Sequence, residues 1–109
     1  MIPTEEQEQQ IFIGWLVIND LHYWHTPNST YTKSWSQKRH NTNMGVQSGI
    51  PDLFVIVNNK LIAVEMKRQK GGVVSNNQKI WLERLNSASI PAKVCKGANE
   101  AIKYVQGFM

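Results

Sequence analysis

Asp-Leu-Phe-Val-Ile-Val at residues 52–57 and Leu-Ile-Ala-Val-Glu-Met at 61–66 decide the fold of this chain. Both segments are dense in β-branched and apolar residues, which is typical of strands. Asn58 and Asn59 lie between them with Lys60, and asparagine tolerates the left-handed conformations that tight hairpins need. Because both segments are apolar on both faces, we predict a central hairpin covered by helices.

Predicted helices and strands flank the hairpin on both sides. Thr4 and Gln7 have capping-box spacing at the start of a predicted helix over 4–20. Two neighbouring rows of side chains recur on it at helical spacing: Ile11, Trp15 and Ile18, and beside them Phe12, Leu16 and Asn19. The other predicted elements are a strand over 21–26, a polar loop over 28–49 with a helical turn near 33–39, a helix over 76–88 that Ser75 caps, a strand over 91–95 and a helix after Gly97. A loop as long as 28–49 is usually functional.

The order of these elements predicts an α/β fold. A mixed central sheet is flanked by helices in the order αβββαβ, followed by a C-terminal helix. The positions predicted to face inward from the last two helices are Ile80, Trp81, Leu85, Ala98, Ile102 and Val105. The 109 residues show no internal repeat, so we expect a single domain over 1–109.

Composition narrows the class of protein. Hydrophobic residues make up 41% and charged residues 18%, which is typical of a globular chain. The net charge of +4 favours a polyanionic partner. No apolar run approaches the roughly 20 residues of a membrane span, and the acidic start does not resemble a signal peptide. Cys95 is the only cysteine, which excludes an intrachain disulfide, favours the cytoplasm and predicts a thiol packed in the core.

The hairpin register predicts a pair of carboxylates. If Asn58 and Asn59 are a two-residue turn, counting outward places Asp52 opposite Glu65. Like charges directly opposite each other destabilise a sheet, and a divalent cation offsets the repulsion. Lys67 lies two residues beyond Glu65 and therefore projects from the same face of the strand. Two acidic groups and one ammonium are thus predicted around one point, provided that no bulge shifts the register.

These groups suit phosphodiester hydrolysis. A metal ion can polarise a phosphoryl oxygen and lower the pKa of a bound water, while Lys67 stabilises negative charge in the transition state or positions the water. A Glu-x-Lys pattern on a strand is more often only a solvated face. The apolar neighbours, and Gly49-Ile50-Pro51 directly before Asp52, favour a functional site.

At these residues the sequence resembles the virus-type replication-repair nucleases (VRR-NUC), a branch of the PD-(D/E)xK superfamily. The matching stretches are Gly49-Ile50-Pro51-Asp52, Val64-Glu65-Met66-Lys67 and Ser75-Asn76-Asn77-Gln78, and with the hairpin they cover about a third of the chain. The resemblance implies a restriction-endonuclease-like core. It also implies a nuclease that depends on Mg²⁺ or Mn²⁺.

The resemblance also implies roles for individual residues. Asp52 and Glu65 correspond to metal ligands, with the backbone carbonyl of Met66 as a further ligand, and Lys67 corresponds to the catalytic lysine. Gln78 corresponds to a helix glutamine near the lysine and the phosphate. Ser75-x-x-Gln78 is also a capping box, and the two roles can coexist.

The family further carries a glutamate on its first helix. Glu8 is the best match, with Glu5 and Glu6 as competitors, and all three also suit the dipole of a helix start. Standalone members resemble Holliday-junction resolvases, which implies a homodimer that cuts branched DNA, because a two-fold axis suits a four-way junction. If the gene is phage-encoded, the chain would act in the host cytoplasm.

Basic side chains predict where DNA lies. The candidate DNA-binding residues are Lys33, Lys38, Arg39, Arg68, Lys70 and Lys79. The first three lie in the long loop, where an ordinary solvated charge run is about equally expected. Trp35 could stack on an unpaired base or anchor that loop. His22 and His25 would point to opposite faces of a strand, which makes them poor ligands for one metal.

Two other functions stay open at this point. One is a module of the same fold that holds DNA without cutting it, although such a module does not need Asp52, Glu65 and Lys67 together. The other is a sequence-specific restriction-type endonuclease, for which little chain remains to read bases. Cleavage that depends on metal and on Lys67 would separate the first from a nuclease, and discrete fragments from a linear duplex would favour the second.

Overall fold

A computed structural model of the protein describes residues 1–27 and 34–109, so Lys33 and residues 28–32 of the long loop lie outside it. The elements are α1 (Glu5–Ile18), β1 (His22–His25), α2 (Trp35–Asn43), β2 (Leu53–Val57), β3 (Lys60–Lys67), α3 (Asn76–Ser87), β4 (Ala92–Lys96) and α4 (Ala98–Gln106). This order confirms the predicted fold class. It adds α2, a nine-residue helix where only a turn near 33–39 was predicted.

The four strands form one mixed sheet in the order β1-β2-β3-β4. The first two pairings are antiparallel, and β3 pairs with β4 in parallel. Asn58 and Asn59 both adopt positive φ angles, 52° and 62°, and Val57 pairs with Lys60 across them. The two-residue turn and the central position of the hairpin are therefore confirmed, and the register is the one counted from the sequence.

Helices α1 and α4 cover one face of the sheet. The predicted capping box is present: the Thr4 Oγ1 accepts from the Gln7 N–H at 3.1 Å, and the Gln7 side chain accepts from the Thr4 N–H at 2.9 Å. Of the two rows of apolar residues on α1, the row with Phe12 and Leu16 is the buried one. The core consists of Phe12, Leu16, Leu53, Val55, Val57, Ile62, Val64, Met66, Cys95, Ala98, Ala101 and Val105.

Helix α3 lies on the opposite face, against the β4 edge. The prediction that Ile80 faces inward is wrong, because 53% of that residue is exposed. Trp81 and Leu85 are only half-buried, and α3 has no fully buried residue. The helix packs against one edge strand instead of the middle of the sheet, so one flank of its apolar surface stays open to solvent. Within the described residues, no helix is long and apolar enough to span a membrane.

Candidate active site

The register of the hairpin brings Asp52 and Glu65 together. The last paired residues of the two strands are Leu53 and Val64, so one further step places the two acidic residues opposite each other on the sheet face that carries α3. Asp52 is 8% exposed and Glu65 is 2% exposed. Two carboxyl groups of like charge are therefore buried side by side where the strands end, as the sequence predicted.

Pro51 shapes the backbone beside this pair. In a continued antiparallel ladder, Met66 would exchange two hydrogen bonds with residue 51, but a proline has no N–H to donate. The Met66 N–H instead donates to Asp52 Oδ2 at 2.9 Å. The Lys67 carbonyl accepts from Gly97 on the other side of the strand, so the Met66 carbonyl is directed toward Asp52. Because Pro51 has no N–H, position 51 offers no backbone donor to the Met66 carbonyl oxygen.

The Glu65 carboxyl has two different oxygens. Oε2 accepts a hydrogen bond from the Gln78 side-chain amide at 3.1 Å and lies 3.8 Å from the Lys67 Nζ. Oε1 is buried and has no hydrogen-bond partner among the described residues. A buried, unpartnered carboxylate oxygen is costly unless a proton or a cation compensates it.

The pKa of Glu65 is raised to about 9, chiefly by burial and then by the neighbouring Asp52, while the Lys67 ammonium acts in the opposite direction. A protonated Glu65 can donate a hydrogen bond to the Asp52 carboxylate, which also favours the neutral form. Without a cation, the pair therefore holds a proton at neutral pH.

Gln78 makes the predicted capping-box contact and a second contact, to Glu65. Its Oε1 accepts from the Ser75 N–H at 2.9 Å, which closes the capping box of α3, and its Nε2 donates to Glu65. The amide thereby ties the start of α3 to the carboxyl pair. The Lys67 side chain beside it is only 11% exposed, and Gly72 passes so close that a Cβ there would lie 3.1 Å from the Lys67 Cβ.

The three glutamates of α1, of which Glu8 was the predicted catalytic candidate, have different surroundings. Glu8 is buried, and its carboxylate accepts from the Ala98 N–H at 3.1 Å and from the Gln69 amide at 2.8 Å. It caps α4, whose own N-cap residue, Gly97, has no side chain to do so. The contacts of Glu8 are thus those of a structural residue and do not support its assignment to the catalytic group.

Glu5 is the α1 carboxylate that interacts with the pair. Burial raises its pKa, the Asp52 charge raises it further, and the Lys67 charge lowers it, so the Glu5 carboxyl lies within the electrostatic field of both groups. Glu6 is exposed. Of the three candidates left open by the sequence, Glu5 is the one that the structure joins to Asp52, Glu65 and Lys67.

The sequence profile of the VRR-NUC domain family matches residues 4–99 of the chain. The chain belongs to the VRR-NUC family. A solved structure described as a VRR_NUC domain protein superposes with a TM-score of 0.78 at 21% identity, over 99% of this chain and 89% of that one. That likeness shows the shared fold. No curated protein matches the chain significantly.

Family membership makes this VRR-NUC domain a nuclease domain of the PD-(D/E)xK type, with DNA as its substrate. Nucleases of this type typically use divalent metals. In the part of the chain that the structure describes, no group of three or more His, Cys, Asp or Glu side chains is arranged to hold a metal ion. The donor set is two carboxylates and the Met66 carbonyl. This set of oxygen atoms fits Mg²⁺, which takes one or two carboxylates with waters and phosphate, and Glu65 Oε1 has no hydrogen-bond partner among the described residues.

The predicted DNA-binding residues are exposed but scattered. Arg68 and Lys70 follow the end of β3 and Lys79 lies in the first turn of α3, whereas Lys38 and Arg39 lie on α2. No residue of α2 is buried, and Trp35 is 81% exposed with the Lys38 Nζ 5.1 Å from its ring centroid. Trp35 therefore does not anchor the loop in the core. These residues stay predictions as DNA contacts.

Sequence reasoning missed two neighbours of the site in this VRR-NUC domain. His25 Nδ1 lies 2.9 Å from the Asp52 backbone carbonyl, which also accepts from the Thr26 N–H at 2.7 Å, so the end of β1 holds Asp52 in place. Gln69 joins β3 to Glu8. Both contacts link distant parts of the chain, and no local pattern indicates them.

Proposed function

We propose that this chain is a metal-dependent endodeoxyribonuclease that hydrolyses phosphodiester bonds at the carboxyl pair. The observation that carries the proposal is the buried Oε1 of Glu65, which lies beside Asp52 and Lys67 and has no hydrogen-bond partner in residues 1–27 and 34–109. A non-catalytic DNA-binding module gains nothing from two buried carboxyl groups that raise the free energy of the folded state. In a nuclease the same groups are useful, because they can hold a cation beside the phosphate that is hydrolysed.

Asp52, Glu65 and the Met66 carbonyl would hold the ion, and Mg²⁺ or Mn²⁺ bound there would polarise a phosphoryl oxygen and acidify a water. The protein's own groups do the rest. Gln78 keeps Glu65 Oε2 oriented, which leaves Oε1 available. The Lys67 ammonium, held at the same strand end, stabilises the negative charge that develops on the phosphoryl oxygens. Glu5 can accept a hydrogen bond from an ordered water at the edge of the site.

The finer proposal is that the domain prefers branched DNA, such as Holliday junctions, and acts as a homodimer. It is supported by the family resemblance and by the two-fold symmetry that a four-way junction presents to a dimer. A restriction-type endonuclease remains the alternative enzyme. It would need a base-reading surface, and the β1–β4 sheet with its helices leaves little chain for one.

The test is a panel of end-labelled linear, flap, splayed and four-way DNA substrates incubated with Mg²⁺ or Mn²⁺. We expect cleavage that chelation abolishes, and faster cleavage of the branched substrates. Lys67→Ala should lose activity, whereas Lys103→Ala, an exposed lysine on α4, should not. Cleavage by Lys67→Ala at the wild-type rate would overturn the proposal, and discrete fragments from a linear duplex would favour the restriction-type alternative.

A further inference from the structure

A groove runs between α3 and the segment before Asp52. Its volume is about 450 Å³, and it is lined by Gln47, Ser48, Asn77, Ile80, Trp81 and Arg84. This volume lies within the range of small-ligand sites. The open flank of α3, on which Ile80 and the half-buried Trp81 lie, forms its apolar part. Nothing in the site described above uses these residues.

A hydrogen bond and close backbone packing connect the groove to the segments that carry the carboxyl pair. The Asn77 amide donates to Ser48 Oγ at 2.7 Å, and Gly49 lies so close to α3 that a Cβ there would be 2.6 Å from the Asn77 carbonyl carbon. Gly49 also has a φ of 87°, which only glycine adopts readily. Asn77 adjoins Gln78, which holds Glu65, and Ser48 and Gly49 lead directly into Asp52. A group bound in the groove is therefore held in a fixed position relative to the site of hydrolysis.

The chemistry of the lining suits a nucleobase. Trp81 offers an aromatic surface, and stacking on an aromatic side chain is the common way to hold an unpaired base. Gln47 and Asn77 carry amides that can both donate to and accept from base edges. Arg84 adds a cation to the lining, which can pair with a phosphate of the bound strand.

We propose that this groove receives an unpaired nucleobase of the DNA strand held at the carboxyl pair. The inference rests on the proposed function, because that function brings DNA to the site. It adds to that function the feature of the DNA that the protein recognises, an unpaired base. Bases inside a continuous duplex are stacked and paired and cannot enter. Bases at a branch, gap or splayed end are free to do so, and the groove would thereby favour such DNA without reading a sequence.

The test is fluorescence of 2-aminopurine, a base analogue whose emission falls when it stacks. A splayed duplex carries it at the first unpaired position, and a linear duplex carries it paired. Binding is measured without divalent metal, so that no cleavage is needed. We expect the wild-type protein to quench the unpaired probe, and we expect Trp81→Leu and Ile80→Glu to leave it bright and to bind the splayed duplex about tenfold more weakly. Because Ile80 is exposed, its variant should fold even if Trp81→Leu does not.

Ile18→Glu is the matched control, because it places the same charge at another exposed isoleucine, at the far end of α1. The inference is overturned if wild-type binding leaves the unpaired probe bright, or if Ile80→Glu and Ile18→Glu quench it equally. It is also overturned if Ile80→Glu converts a dimer into a monomer, since the groove would then hold a second copy. Failure to cleave any DNA with Mg²⁺ would count against the proposed function alone, because the fluorescence result does not depend on cleavage.

Discussion

Glu8 and Glu65 are equally buried, at 3% and 2% exposure, yet their surroundings differ completely. Around Glu8, the start of α4 and the Gln69 amide supply a donor to each carboxylate oxygen. Around Glu65, one oxygen is held by Gln78 and the other faces Asp52 without a donor among the described residues. The comparison teaches that the hydrogen bonds of a buried carboxyl group, and not its burial, separate a structural residue from one that is kept ready for a ligand.

The largest expected effect comes from Glu65→Gln. The amide keeps the shape of the side chain but cannot provide an anionic metal ligand, so the rate of DNA cleavage should fall about 1,000-fold. The metal-free protein should remain folded, because the neutral amide has the shape of the protonated carboxyl group that it replaces. Cleavage rates and circular dichroism on the same sample check this. If Glu65→Gln cleaved DNA at the wild-type rate, Glu65 would not be a metal ligand, and its functional difference from Glu8 would disappear.

Glu8→Ala should show the opposite behaviour. It leaves the Ala98 N–H and the Gln69 amide without their acceptor, which should lower the free energy of unfolding by about 1–3 kcal/mol. The cleavage rate per folded molecule should stay near that of the wild type. Urea unfolding measures the loss, with Glu6→Ala on the exposed side of α1 as control. A stable Glu8→Ala protein that has lost cleavage would instead restore Glu8 to the catalytic group.

The pH dependence of the free energy of unfolding tests the same comparison between Glu65 and Glu8. The pKa of Glu65 is about 9 in the folded state and near 4.5 in the unfolded chain, so the folded state binds more protons between these values. The metal-free protein should therefore lose stability as pH rises from 5 to 9, by up to about 1.4 kcal/mol per pH unit.

Glu65→Gln should remove most of this slope, whereas Glu8→Gln should leave it in place. Urea unfolding at several pH values in the presence of a chelator measures it. An equal slope in wild type and Glu65→Gln would show that the Glu65 proton is not its source.

Among the proposed site residues, the smallest effect on the cleavage rate is expected for Glu5→Gln. The Glu5 carboxyl interacts electrostatically with Asp52 and Lys67 but is not one of the three proposed oxygen ligands. Cleavage should fall about tenfold, which is less than the roughly 100-fold typical of a direct general acid or base, and stability should change little. Steady-state cleavage of the preferred branched substrate checks this, with Glu6→Gln as control. Equal rates for the two variants would exclude Glu5 from the site.

The hairpin and its carboxyl pair were predictable because their causes are local. The two-residue Asn58-Asn59 turn sets the register, and side chains alternate along a strand, so the pairing of Asp52 with Glu65 follows by counting. The caps at Thr4 and Ser75 were predictable for the same reason, since each depends on a residue three positions away.

The assignment on α1 required tertiary structure. Two rows of apolar residues lie side by side on the helix, and only the packing of α4 decides that the row of Phe12 and Leu16 is buried. Glu8 continues that row at a spacing of four, which is the one sequence signal that it faces α4 and not the site. The exposure of Ile80 likewise depends on α3 reaching only β4, which helical spacing does not reveal.

Anomalous diffraction from a crystal soaked in Mn²⁺ tests the central claim most directly. We predict a peak between the Asp52 carboxylate and Glu65 Oε1, at roughly 2.0–2.2 Å from its oxygen ligands, and no peak in a crystal of Glu65→Gln. A Mn²⁺ peak elsewhere in the domain, with the space between these two carboxyl groups filled only by a shared proton, would contradict the account.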